Sequence, residues 1–201
     1  MESIYDRVPR LCSNAKSRQD RQKNKGIEEI CKIIDDSPFD DKILIVDVTE
    51  ILDKSLSGLV AMKIADIYNK PCILLKRYKK EDFNKDYKKG DCHHYEVYGG
   101  SARNINYSPI ENLRDLVVSS NEFNYATGHD NAFGVEIEVD KLKEAINKFN
   151  DMLKDVKYDS TYKVDFIINS DNININLVRN LSVFPDYIGT KIDELLIAVE
   201  R

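Results

Sequence analysis

Two short apolar runs flanking a helical stripe constrain this chain more than any other feature. Lys42-Ile43-Leu44-Ile45-Val46-Asp47 and Pro71-Cys72-Ile73-Leu74-Leu75 have the length and the β-branched character of buried strands. Between them a polar turn through Asp53, Lys54 and Ser55 leads into Leu56 to Tyr68, where Leu59, Val60, Ile64 and Ile67 recur at helical spacing. Strand, helix, strand makes a βαβ unit with its two strands parallel, because the helical crossover returns the chain in the same direction. Upstream, Ile27, Ile30, Cys31 and Ile34 mark one face of a helix from about Arg18 to Ile34, which Asp35-Asp36-Ser37-Pro38 stops.

Downstream, Lys76 to Asp91 is rich in lysine and reads as an exposed excursion. His94-Tyr95-Glu96-Val97-Tyr98 then alternates like a strand and runs into Gly99-Gly100-Ser101-Ala102-Arg103. Ser108-Pro109-Ile110-Glu111 reads as an N-cap with proline at the first helical position, opening a helix to about Val118. A loop carries Gly128-His129. The alternation of Phe133, Val135, Ile137 and Val139 predicts a strand, and Lys141 to Leu153 an amphipathic helix. The last segment predicts a strand over Tyr162 to Ile168, a helix from Ile173 to Val183 and a strand over Leu195 to Val199. The expected architecture is α/β: a mixed β-sheet with flanking helices, preceded by a connector helix and followed by a small α+β extension.

With 201 residues, 42% of them hydrophobic, the chain can bury one or two small cores, and no stretch is long and apolar enough to cross a bilayer. A soluble, cytoplasmic protein without a membrane partner is expected. Cys12, Cys31, Cys72 and Cys92 form no C-x-x-C pair, which favours reduced thiols over a disulfide framework. The net charge of -5 speaks against a uniformly basic surface, so local patches decide. One patch is Arg7, Arg10, Lys16, Arg18, Arg21, Lys23 and Lys25; the other is Lys76, Arg77, Lys79, Lys80, Lys85, Lys88 and Lys89. Either could follow a phosphate backbone; the first could equally be a solvated helix face and the second a mobile loop.

Anion chemistry points to two glycine clusters. Glycine lets a backbone approach a phosphate, and successive amides in such a turn can form an anion-binding nest. After Gly99-Gly100, Ser101 offers a hydroxyl and Arg103 a planar fork that can grip a phosphate through two N–H bonds. After Gly128, His129 offers an imidazole donor. His93-His94 beside Cys92 and Asp91 has metal-ligand chemistry, yet adjacent residues on a strand point to opposite faces. No Asp-His-His triplet and no Asp-x-Asp occurs, whereas two-metal hydrolysis needs several such ligands converging on ions roughly 3.5–4 Å apart.

The order of these pieces resembles the DHH-associated domain of RecJ-like single-strand exonucleases, members of the DHH phosphoesterase superfamily. The matching segments are Leu56-Ser57-Gly58-Leu59-Val60-Ala61 with Asn69-Lys70-Pro71-Cys72-Ile73-Leu74-Leu75, then Gly100-Ser101-Ala102-Arg103, then Gly128-His129-Asp130-Asn131-Ala132-Phe133-Gly134. Leu181 to Gly189 faintly resembles the lead-in to the family's oligonucleotide-binding barrel. Two departures stand out: Thr127 precedes Gly128 where the family has a second glycine, and Ser57-Gly58 replaces a small apolar pattern.

The resemblance implies a substrate-binding half of a metal-dependent phosphodiesterase, separated from the lobe that holds Mn2+ or Mg2+. Residues 1–35 would be a connector helix region, 36–157 the DHH-associated domain, and 158–201 an extension, the start of an oligonucleotide-binding domain. Gly100, Ser101, Arg103, Gly128 and His129 would hold substrate, with His129 facing the scissile phosphate and no catalytic or metal-binding residue in the chain. Single-stranded DNA, the missing catalytic lobe and replication, repair or recombination proteins are the implied partners, and 5′-to-3′ exonucleolysis the implied activity of the intact hydrolase. A stand-alone adaptor without hydrolase activity, and a fragment acting on short oligonucleotides or cyclic dinucleotides, remain open.

Overall fold

The βαβ unit forms around one apolar contact surface. In the computed structural model, which describes residues 3–38, 40–81, 94–106, 108–158, 164–182 and 196–200, β1 (Leu44–Asp47) and β2 (Cys72–Glu81) pair in parallel, with Leu44 opposite Cys72 and Val46 opposite Leu74. Asp53 caps a short 3-10 turn, Lys54–Leu56, which continues directly into α2 (Ser57–Tyr68). Asn69 ends α2 in a left-handed conformation, a position that asparagine tolerates better than most residues.

The sheet of the first compact unit, residues 1–158, is completed by β3 (His94–Arg103), β4 (Phe123–His129) and β5 (Ala132–Glu138), in the order β1-β2-β3-β5-β4. All pairings after β1–β2 are antiparallel, so the sheet is mixed. Because residues directly opposite one another share a face, the registers divide the sheet cleanly into two sides. On one side Ile73, Leu75, Tyr98, Ala102, Phe133, Val135 and Ile137 form a core with α3 (Leu113–Ser119) and α4 (Leu142–Met152), through Leu113, Val117, Ala145 and Phe149. Each large side chain buried there, Phe149 for example, contributes roughly 1.5–3 kcal/mol of transfer free energy.

On the other side Leu44, Val46, Cys72 and Leu74 pack against Val60, Ala61, Ile64 and Ala65 of α2 and Ile30 of α1 (Ile4–Asp35). α1 is longer than its apolar stripe: it starts at the Ser3 cap rather than near Arg18, and only Gly26 and Ile30 are fully buried. A side chain at Gly26 would overlap Leu52, so the close approach needs glycine there. Tyr68 ties α2 to α1: its single hydroxyl hydrogen can go to Asp35, 2.7 Å away, or to the Cys31 carbonyl at 3.1 Å.

Three local readings are corrected. β2 continues through Lys76–Glu81, because the basic segment finds a partner strand in β3 and its backbone groups are satisfied by pairing; residues 82–93, with the His93 cluster, lie outside the described residues. α3 starts after Asn112, whose side chain accepts from the Asp115 amide (3.0 Å), while Ser108 only closes a turn onto the Ile110 amide (3.1 Å). Gly128-His129 is the end of strand β4 and not a loop.

The second compact unit, residues 159–201, contains β6 (Phe166–Asn169), α5 (Ile175–Ser182) and β7 (Ile197–Glu200), with β6 and β7 parallel. The barrel lead-in at Leu181 to Gly189 falls almost wholly outside the described residues. Among the described residues no helix is long and apolar enough to cross a membrane.

Candidate functional site

The registers bring the polar candidates together. Arg103 lies opposite Ala132, and Ala132 opposite His129, so the three form one row across β3, β5 and β4. Two interstrand spacings, ~10 Å, separate the Arg103 and His129 backbones. The next row on the same face is Ser101, Gly134 and Thr127, and the third is Gly99, Glu136 and Tyr125. α2 lies against β2 and β3 on this face. Thr127, His129 and Tyr125 beyond it are exposed.

Arg103 is the distinctive group. Its guanidinium is half-buried beside α2, and its Nη1 donates to the neighbouring Ala102 carbonyl at 2.7 Å. Among the described residues it has no carboxylate partner, and burial alone pulls its pKa below the ordinary value. It stays cationic at neutral pH because that ordinary value lies so far above 7. A partly desolvated cation without a counter-charge is costly, and an incoming anion removes the cost. Gly58, the second residue of α2, makes room: a side chain there would come within 2.6 Å of Arg103 Nη2. Ser57 and Ser101 share a hydrogen bond between their hydroxyls (2.9 Å), and Ser57 Oγ also lies 2.9 Å from the Lys54 carbonyl, to which it can donate.

Gly100 and Gly128 act differently from the anion nest that their sequence context suggests. Gly100 sits in mid-strand, opposite Leu75 on one side and Val135 on the other, so its peptide groups serve the ladder. A Cβ on it would overlap the Leu74 carbonyl oxygen. Gly128 has φ +143, and a Cβ there would meet the Phe133 backbone at 2.8 Å. Both glycines permit close strand packing on the core side, while Ser101, Arg103 and His129 project to the other.

The hairpin that ends in His129 is held by residues that sequence reasoning passed over. Arg114 donates from Nη1 to the Gly128 carbonyl (2.6 Å), pairs with Asp130 (2.9 Å) and gives its amide to the Asp130 carbonyl (2.9 Å). Asn131 accepts from Asn104 Nδ2 (2.8 Å) and from the Leu113 amide (3.2 Å), and donates to the Glu111 carbonyl (2.9 Å). The asparagine pair and the arginine fasten the turn to the start of α3, so His129 is carried on a braced edge. The only sequence signal for this was the turn-prone Asp130-Asn131 pair.

Other features lie elsewhere. Cavities of about 210 Å³, lined by Gln22, Lys25 and Leu52 among others, and about 220 Å³, beside Ile33, Ser37 and Asp47, do not include the rows described above. Among the described residues no group of three or more His, Cys, Asp or Glu side chains could hold a metal ion. The basic residues of α1 lie mostly on its exposed surface, where Lys23 pairs with Asp20 and Lys25 with Glu29.

No family model matches the chain. Over 199 residues, 98% of its length, it is 31% identical to a Bacillus subtilis (strain 168) protein provisionally named as an SPbeta prophage-derived single-strand DNA-specific exonuclease, YorK. The yorK protein of Bacillus phage SPbeta, named in the same provisional way, matches with the same identity and coverage. The chain spans 32% of the length of each relative. Crystal structures of RecJ from Thermus thermophilus in complex with Mn2+ and with Mg2+ share 14% identity and a TM-score of 0.48, covering 71% of this chain and 18% and 19% of theirs. This chain is thus related, along nearly all of its sequence, to about a third of proteins named as single-strand DNA-specific exonucleases.

Proposed function

We propose that the open half of the sheet face binds the phosphate backbone of single-stranded DNA, as the substrate-binding portion of a RecJ-like 5′-to-3′ exonuclease. The observation that carries this reading is Arg103: a half-buried guanidinium, free of any carboxylate among the described residues, beside a hydroxyl pair and a glycine that keeps its space clear. Such a group is preorganised for a bidentate bond to a phosphate. Ser101 would add a hydroxyl contact, and His129 would meet an adjacent phosphate or the scissile one from the other end of the row. The divalent metals of the hydrolysis, Mn2+ or Mg2+, would be held by residues outside this chain, and the phosphodiester bond would be cut there. The chain's part is to fix the strand, which lowers the entropic cost of the chemical step.

Replacing Arg103 with alanine should weaken binding of a 5′-phosphorylated oligothymidylate by ten- to a hundredfold, since hydrogen bonds to charged groups contribute about 1.5–3 kcal/mol. Arg103→Lys should restore only part of it, because an ammonium cannot reproduce the fork. Fluorescence anisotropy reads the affinity and circular dichroism the fold. An Arg103→Ala protein that is folded and binds as tightly as the parent would refute the role.

A further inference from the structure

Strand β4 changes face partway along. Phe123 lies opposite Ile137, and its ring stands 6.0 Å from that of Phe149, on the core side of the sheet. Tyr125 lies opposite Glu136, so two steps along β4 match one along β5. Asn124 is the extra residue of a β-bulge, which reverses the face that later side chains occupy. Strict alternation would send Tyr125 into the core behind Phe123. The bulge delivers it to the open face, with Thr127 and His129 following in step. Asn124 also anchors the distortion, donating from Nδ2 to the Glu136 carboxylate at 3.2 Å.

The consequence is an aromatic ring with nothing to do inside the protein. Tyr125 is 46% exposed and has no hydrogen bond, ion pair or ring contact among the described residues. It stands two rows from Arg103 and two strands across, ~13 Å along the sheet and ~10 Å over it, hence about 16 Å away. Adjacent stacked nucleotides rise only ~3.4 Å, so a stacked strand running from one backbone position to the other spans several nucleotides. The row that holds Tyr125 also holds the buried Glu136 carboxylate, which accepts from Asn124 and from Tyr78 Oη. A phosphate is disfavoured beside that carboxylate, whereas the neutral face of a base is not. Across β3, β5 and β4 the cation thus lies at the Arg103 end and the acid at the Tyr125 end, while Lys76 of β2, opposite Gly99, is turned to the Leu52 carbonyl.

We infer that Tyr125, turned outward by the bulge at Asn124, is a stacking platform for a base of the same single DNA strand whose phosphate Arg103 holds. The inference rests on the phosphate role proposed for Arg103 and adds a second subsite, some nucleotides along the strand. Aromatic stacking of this kind is tolerant of base identity, which suits an enzyme that degrades strands of any sequence.

The chain contains no tryptophan, so Tyr125→Trp places a single indole reporter at the site. Titrating that full-length variant with a 5′-phosphorylated octathymidylate should quench its fluorescence, and an abasic sugar-phosphate strand of equal length should not. Tyr125→Ala should bind the octathymidylate roughly tenfold more weakly than the parent, while Tyr125→Phe keeps the affinity. Tyr125→Ala should leave the weaker affinity for the abasic strand unchanged. Parent-like binding by Tyr125→Ala, or an unquenched Tyr125→Trp at saturation, overturns the stacking role; if Arg103→Ala is still impaired, the phosphate reading survives. A parent protein that ignores single-stranded DNA, or an Arg103→Ala protein that binds as the parent does, overturns both.

Discussion

Gly58→Ala should make this protein more stable and a worse binder, and the two effects have separable causes. Gly58 is the second residue of α2, and a Cβ built on it would lie 2.6 Å from Arg103 Nη2, 3.4 Å from its Cζ and 3.8 Å from Ser101 Oγ. The clash is with the far end of a flexible side chain, so the guanidinium swings aside and the helix stays in place. On the stability side, alanine is favoured over glycine in a helix by about 0.8–1 kcal/mol, less near an end, partly because the unfolded chain has fewer conformations to lose. For a chain of this size that corresponds to a rise in melting temperature of roughly 2–4 °C.

On the binding side, a displaced Arg103 would forfeit the bidentate grip proposed for it, about 1.5–3 kcal/mol, or ten- to a hundredfold in affinity for single-stranded DNA. Thermal melting followed by circular dichroism and anisotropy titration with a 5′-phosphorylated oligothymidylate measure the two on one preparation. If Gly58→Ala binds like the parent, Arg103 does not use the space that Gly58 clears. A melting temperature several degrees lower would mean that the clash is relayed into the backbone, and the side-chain account of the glycine fails.

Asp53, which caps the entry to α2, is held below the ordinary aspartate pKa by the Ser55 amide and then by the Ser55 hydroxyl. A depressed folded-state pKa gives stability that is present above the unfolded value, about 3.9, and is lost as pH falls through the folded one. Asp53→Asn should therefore flatten the acid limb of a stability-versus-pH curve below about pH 4, and an identical limb in both proteins would refute the cap's share in it. The hydroxyl of Tyr158 is buried without a hydrogen-bond partner among the described residues, and burial pushes its pKa up to about 12. Tyr158→Phe removes an unsatisfied group and should stabilise the protein by about 1 kcal/mol in urea denaturation, whereas a loss of that size would reveal a partner for the hydroxyl.

What could be read in advance divides along the two faces of the sheet. β1, α2, β5 and α4 carry their apolar residues at the periods of strand and helix, and these elements lie where those periods put them. β4 escaped because its core-facing set is Phe123, Ala126 and Gly128, whose spacing is broken by the bulge at Asn124 and whose last member is a glycine. The extension of β2 into Lys76–Glu81 escaped for another reason: a basic edge looks like a loop until its partner strand is known, and pairing is a long-range property. At the site, Ser101, Arg103 and His129 were visible as residue types, but their common face depends on registers across three strands. The brace from Arg114, Asn104 and Asn131 is hydrogen bonding between segments that no periodicity announces.

The open face itself follows from composition, strand by strand. On the core side of β3, β5 and β4 the rows read Ala102, Phe133, Gly128; Gly100, Val135, Ala126; Tyr98, Ile137, Phe123. On the far side the same strands carry Arg103, Ala132, His129; Ser101, Gly134, Thr127; Gly99, Glu136, Tyr125. A helix laid across the second set would bury the rest of a guanidinium, an imidazole and several hydroxyls for almost no apolar contact, at a cost of several kcal/mol. α2 lies on β2 and the near side of β3, where Cys72 and Leu74 reward it, and at its first turn Gly58 meets Arg103; β5 and β4 lie beyond it. The hydrophobic effect thus packs one half of this face and leaves the other to water or to a ligand that supplies its own polar groups. A strand of phosphates and bases is such a ligand, which ties the line where the core ends to the line where binding is proposed to begin.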